Sequence, residues 1–232
     1  MTKKIIVSFL MAFLILSCGD GITEKTMSVN GRIKGLKKGT LYLQHLPDSV
    51  LVTVDSLQIG GDGSFSFRTE LESPEIYYLY LDKKDNNSLN DRITFFGEPG
   101  NITINTNWNT FDTYAEIEGS KTQKKLEEYQ KVRSEMNKRN LVFVQQARAM
   151  GNSMDAQQQD SLNEINNRHL QRGYAYALSF ALNNTDSYIA PYIALFEVAD
   201  ANRKYLDSIN NSLSPEVADS KYGRALKAYL EQ

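Results

Sequence analysis

A single cysteine, Cys18, stands in the 232 residues, so the chain has no partner thiol for a disulfide and no CxxC redox pair. Histidine is almost as scarce. His45 and His169 are the only two, and neither has another metal-type ligand at a strand i+2 or helix i+4 position, so no zinc motif is present. No Gly-x-Ser-x-Gly elbow accompanies Asp55-Ser56 or Asp186-Ser187, and turn and cap chemistry explains both pairs better than a serine nucleophile does. No basic cluster is found either. With 26 Lys and Arg against 28 Asp and Glu, the chain is unsuited to nucleic acid as a partner. Only one long apolar run occurs, Ile5–Leu16, broken by Ser8 alone; its twelve residues fall short of the roughly 20 that a membrane-spanning helix takes.

That run is informative in another way. Lys3 and Lys4 precede it, and the small residue Ser17 followed by Cys18 closes it, which predicts a signal peptide over Met1–Ser17. Ile15-Leu16-Ser17-Cys18 resembles a bacterial lipobox, in which the thiol is acylated and the chain is cut just before it. Several acyl chains on Cys18 would hold the protein stably to a lipid bilayer, where one chain would not. Acylation would also consume the only thiol, removing a thiolate nucleophile from the mature protein. Gly19 in place of Asp after the cysteine points to the outer membrane of the cell envelope. Residues 18–28 then read as a lipidated tether.

From Val29 the texture is β. Runs rich in Val, Ile, Thr, Tyr and Phe lie between turn signals at Val29–Ile33, Thr40–Leu46, Leu51–Ile59, Ser64–Thr69, Ile76–Asp82, Arg92–Gly97, Asn101–Asn105 and Ala115–Glu118. Leu41 and Leu43, like Phe65 and Phe67, are two apart and share one face of a pleated strand. Gly60-Gly61-Asp62-Gly63 and Pro99-Gly100 mark turns. Eight short strands at this spacing predict an antiparallel, jelly-roll-like β-sandwich over residues 29–118.

The period changes at Gly119-Ser120. With Ser120 as N-cap, Leu126, Tyr129, Val132, Met136, Phe143, Ala147 and Met150 recur mostly at three- and four-residue steps. A second helix is expected from about Asp155 to Leu182, with Leu162, Ile165, His169 and Tyr176 inward. A third should run over Tyr188–Asp200 with Pro191 in its first turn, and a short one over Asn202–Leu213. Ser214-Pro215-Glu216 is the start signature of a last helix. The fold class is therefore α+β: a sandwich followed by a helical region over residues 120–232.

The order of several motifs resembles a known family. Asn30-Gly31-Arg32-Ile33-Lys34-Gly35-Leu36, Leu41-Tyr42-Leu43, Asp55-Ser56, Asp62-Gly63-Ser64-Phe65-Ser66-Phe67, Phe95-Phe96-Gly97-Glu98-Pro99-Gly100-Asn101-Ile102 and Glu118-Gly119-Ser120 carry the likeness. Together they resemble the domain of unknown function numbered 4369, a β-sandwich of exported bacterial lipoproteins. In that family the sandwich commonly precedes a helical segment and a thioredoxin-like oxidoreductase domain. The resemblance therefore implies an accessory domain. It transfers no catalytic residue, because the CxxC that carries the family's redox chemistry is missing here.

Few side chains remain as site candidates. Tyr78 and Tyr80 share one strand face, with Tyr77 on the other, and Trp108 sits in a polar loop between Asn107 and Asn109. Sugar-binding sandwiches use such rings as stacking platforms, although tyrosines in sandwiches are more often core rings. Glu72, Glu75, Asp82 and Asp85 are spread over a turn, a strand end and a loop, and two of them converging would make a glycosidase pair. Asp-Ser followed by an apolar residue, at Ser49, Ser56, Ser161 and Ser208, resembles a bacterial O-glycosylation motif, and the helical setting argues against some of these copies. No cofactor or metal is expected. The expected function is a non-enzymatic binding or interaction module of the envelope, facing an envelope protein partner. Two alternatives stand beside it: a carbohydrate-binding or weakly hydrolytic sandwich, and an accessory subunit of a separate thioredoxin-like oxidoreductase.

Overall fold

Alternation sets the sheets. In a computed structural model of the chain, which describes residues 23–83, 91–150 and 155–232, eight strands appear where turn signals bracket β-rich runs. They are β1 (Thr26–Lys34), β2 (Lys38–His45), β3 (Val52–Gly60), β4 (Ser64–Glu70), β5 (Glu75–Asp82), β6 (Arg92–Gly97), β7 (Gly100–Asn107) and β8 (Glu116–Glu118). The segment read as a signal peptide, with Cys18, lies outside the described residues, as does Asp85. β1 begins three residues inside the stretch read as tether, because Met27 is fully buried and Thr26 pairs with Glu70 on β4.

The strands form two four-stranded sheets, ordered β4-β1-β7-β8 and β3-β2-β5-β6. Neighbours are antiparallel with one exception: β1 and β7 run parallel, with Val29 opposite Ile102. Parallel neighbours need a crossover, and here the chain passes through the other sheet between the two strands. Met27, Val29, Ile33, Ile102 and Ile104 of the first sheet meet Leu41, Leu43, Tyr77, Leu79 and Leu81 of the second in one apolar core.

Six helices follow: α1 (Lys121–Met150), α2 (Ala156–Leu182), α3 (Ile189–Phe196), α4 (Arg203–Ser212), α5 (Pro215–Ala218) and α6 (Lys221–Leu230). Ser120 starts α1 as expected, its hydroxyl accepting from the Gln123 N–H at 2.9 Å. Asp155 starts α2 through a reciprocal capping box with Gln158. Ser214 caps only the four-residue α5, where one continuous last helix was expected. The break follows from a second cap. Ser220 accepts from the Gly223 N–H at 3.2 Å and restarts the helix as α6.

The helices build a second core, and two sandwich residues belong to it. Ile76 of β5 and Phe96 of β6 point out of the second sheet and pack among Leu126, Tyr129, Ile189, Ile193 and Tyr222. Gln123 of α1 accepts from the Phe96 N–H at 2.8 Å, covering part of the edge strand β6, which would otherwise be open to pairing. No helix among the described residues is long and apolar enough to cross a membrane.

Candidate functional site

Tyr78 and Tyr80 lie where alternation puts them, on the outer face of the second sheet. Both are half-buried. Tyr80 stacks on Tyr42 of β2 with ring centroids 5.9 Å apart. The Arg92 guanidinium from β6 lies 5.5 Å from the Tyr78 centroid and 5.6 Å from that of Tyr80. A cation at this distance is attracted by the ring face. The rings are thus engaged by neighbours on their own sheet, and Tyr78 packs against the helical core as well.

Trp108 is elsewhere. It opens a 3₁₀ turn (Trp108–Thr110) after β7, at the end of the first sheet, and its ring leans toward Gly35, where a methyl group would come within 2.7 Å of it. It is 45% exposed, so it is an accessible ring, but it forms no platform with Tyr78 and Tyr80, which belong to the other sheet.

Of the candidate carboxylates, Glu75 is the one whose partners are defined. Glu75, at the start of β5, is paired with Lys221 of α6, and its carboxylate lies 3.0 Å from His45 Nδ1, accepting from it in the tautomer that carries the proton there. The His45 ring stacks on Tyr77 with centroids 5.1 Å apart. Lys221 also donates to the Leu46 carbonyl, and its backbone N–H donates to Ser73 Oγ at 2.9 Å. This cluster ties the sandwich to α6. Glu72 is exposed on the preceding turn. Among the described residues no group of three or more His, Cys, Asp or Glu is arranged to hold a metal ion.

The family-like motifs have structural work in the same junction. Glu98, in the turn between β6 and β7, accepts from the backbone N–H groups of Lys121 and Thr122 and from the Thr122 hydroxyl at 2.8 Å. A carboxylate there neutralises the positive end of α1. Gly119 has φ +101°, and a Cβ on it would sit 2.0 Å from the Asn101 carbonyl oxygen. Only glycine lets β8 turn this tightly into the capped helix.

An apolar groove lies on the helices. α2 and the start of α4 bound a groove of about 810 Å³, lined by Leu170, Tyr174, Leu178, Leu182, Ala201 and Tyr205 with Gln171, Ala175, Ser179, Asn183 and Asn202. None of these residues is charged. Leu170 is 52% and Tyr205 50% exposed. Asp200 accepts from the Tyr174 hydroxyl at 2.5 Å, and this bond is the main reason the phenol is held above its ordinary pKa. Sequence reasoning placed Leu162, Ile165, His169 and Tyr176 on the inward face of α2 and passed over the groove. Its signal was present, however: Leu170, Tyr174, Leu178 and Leu182 recur every four residues as a second apolar stripe beside the buried Ala177, Phe180 and Ala181.

Several phenols at the junction titrate high. Burial pushes Tyr77 and Tyr222 well above the usual tyrosine range, with the nearby Glu75 charge adding to the effect in both. Tyr192 of α3 is pushed up to about 12, again chiefly by burial. These groups stay neutral and act as packing and hydrogen-bonding residues at physiological pH.

Comparison with known proteins bears on the sandwich. The family model of the domain of unknown function DUF4369 matches residues 27–126, from the start of β1 to the first turns of α1. No curated protein matches the chain.

Proposed function

We propose that this chain is a cell-envelope lipoprotein, held to the bilayer through acylated Cys18, whose helical half receives a protein partner and performs no catalysis itself. The observation that carries this reading is the uncharged apolar groove between α2 and α4. Contiguous exposed apolar surface of this kind is costly to leave in water and marks an interaction site. Leu170, Tyr174, Leu178 and Leu182 span twelve helical steps along α2, about 18 Å at 1.5 Å per step. That length suits a partner helix of about three turns presenting anchors at i, i+4 and i+7.

The hydrolytic alternative is weakened by the pairing of Glu75 with Lys221 and by the cover of Arg92 over Tyr78 and Tyr80. A carbohydrate-binding reading keeps one supporting observation, the accessible ring of Trp108.

Photo-cross-linking in the cells that make the protein tests the proposal. A photoreactive residue at Leu170 or Tyr205 is expected to give one discrete protein adduct, and the same residue at Trp108 is expected to give none. A thioredoxin-like protein in that adduct would define the chain as the accessory subunit of a two-chain oxidoreductase. Absence of any groove-specific adduct would contradict the interaction role.

A further inference from the structure

Asp-Ser followed by an apolar residue occurs at Asp48-Ser49-Val50, Asp55-Ser56-Leu57, Asp160-Ser161-Leu162 and Asp207-Ser208-Ile209. The fold separates these four copies sharply. Ser161 lies in α2 and Ser208 in α4, and each hydroxyl donates at 2.8 Å to the carbonyl one turn back, that of Gln157 and of Lys204. Ile209, the third residue of the last copy, is completely buried beneath α4. An enzyme that grips three consecutive residues of an extended chain would have to unwind a helix to reach either serine.

Ser56 is exposed but stands in the middle of β3. Its neighbours Asp55 and Leu57 are paired with Leu43 and Leu41 of β2, and its own N–H is held by the Asp55 carboxylate at 2.7 Å. Leu57 packs against the sandwich core.

The Ser49 copy is different in each respect. It lies in the bend between β2 and β3, with Asp48, Ser49 and Val50 all exposed and Val50 at 71%. Among the described residues no hydrogen bond or ion pair engages the side chain of Asp48 or Ser49. Loop tips with free backbone are where modifying enzymes find access. From the loop into β3 runs an apolar stretch, Val50, Leu51 and Val52, exposed at 71%, 37% and 40%. A bulky hydrophilic group on the adjacent serine would shield it.

We infer that Ser49 is an O-glycosylation site, with Asp48 and Val50 as the side chains by which a transferase recognises it. In the transfer, a bond forms between Ser49 Oγ and the anomeric carbon of a sugar activated as a glycosyl phosphate or diphosphate. The anomeric carbon–oxygen bond to phosphate breaks as the new bond forms. The phosphate or diphosphate leaves with the electron pair, and the hydroxyl proton passes to a base of the transferase. No oxidant or reductant is needed. The inference rests on the envelope reading, since the serine must reach a glycosylating compartment.

The test is the intact mass of the protein purified from the membranes of the cells that make it. It is run beside Ser49→Ala, Asp48→Asn, Ser56→Ala, Ser161→Ala and Ser208→Ala, all carried as the full chain. The expected result is an excess of one or more sugar residues that disappears in Ser49→Ala and Asp48→Asn and persists in the other three. The same spectrum reports the N-terminus. An acylated Cys18 with bare Ser49, or an excess that survives Ser49→Ala, overturns the inference and leaves the envelope reading standing. An intact Met1–Ser17 segment overturns the envelope reading and the inference with it.

Discussion

The backbone N–H of Ile76 donates to the hydroxyl of Tyr222 at 3.0 Å, joining β5 of the sandwich to α6 across 146 residues of sequence. The group is buried, and without the hydroxyl it would have no partner. Around the bond, the Tyr222 ring meets Phe96 at 6.1 Å and Tyr192 at 5.4 Å, both edge to face. The two halves of the chain are therefore joined by hydrogen bonding as well as by apolar packing.

Tyr222→Phe keeps the ring packing and removes only the acceptor. It should cost about 1–3 kcal/mol, the penalty of an orphaned buried N–H. Urea denaturation followed by both far-ultraviolet circular dichroism and tyrosine fluorescence would check this. The two probes should report coincident transitions in the parent protein, because the second core contains residues from both halves.

Lys221→Met tests the neighbouring charge pair. Glu75 is then left nearly buried with only His45 for company, and the cost should be about 2–4 kcal/mol. Replacing both partners, as Glu75→Gln with Lys221→Met, should recover part of the loss. A double-mutant cycle reads the coupling directly.

Two glycines should respond in opposite degree to alanine. Gly119→Ala forces a side chain into positive φ and onto the Asn101 carbonyl, with no flexible group to give way, and should lower the thermal midpoint clearly. At Gly173 the added carbon would meet the Arg133 guanidinium at 2.4 Å, the far end of a long side chain that can swing aside. The loss there should be the smaller of the two. Part of it would come from loosening the contact of Arg133 with Glu197, now 3.9 Å.

Raised phenol pKa values set a pH dependence. Above about pH 10 the unfolded chain releases tyrosine protons that Tyr192 in the folded chain keeps until about pH 12. The unfolded state then binds fewer protons, so stability is complete below pH 10 and falls as pH rises toward 12. Tyr192→Phe removes one such group. Its stability should decline less steeply over that window, as read from urea midpoints at stepped pH.

Much of this fold was legible in the residues, and the reasons are local. Alternation in Leu41-Tyr42-Leu43 and Phe65-Ser66-Phe67 fixed which side chains face the core, and Ser120 and Asp155 fixed two helix starts through caps that act over three residues. The parallel pairing of β1 with β7 was not legible, because it depends on where five intervening strands deliver the chain. The Glu75–Lys221 pair and the Ile76–Tyr222 bond were hidden for the same reason. The groove was half visible: its α2 stripe is periodic, but its other wall, Ala201 to Tyr205, comes from the turn before α4 and that helix's first residues. Trp108 in its polar loop was the readily legible exposed ring, whereas its separation from Tyr78 onto a different sheet was not legible.

The most direct measurement is cross-linking from the groove in living cells, with Tyr205→Asp as the companion variant. Leu178 packs against the second core, so the companion is placed instead at Tyr205, which lines the groove, is 50% exposed and is not part of that core. The expected result is a single adduct from a photoreactive residue at Leu170, abolished by Tyr205→Asp while the thermal midpoint stays near that of the parent. An adduct that forms equally from Trp108, or none from Leu170, would contradict the groove as the partner-binding surface.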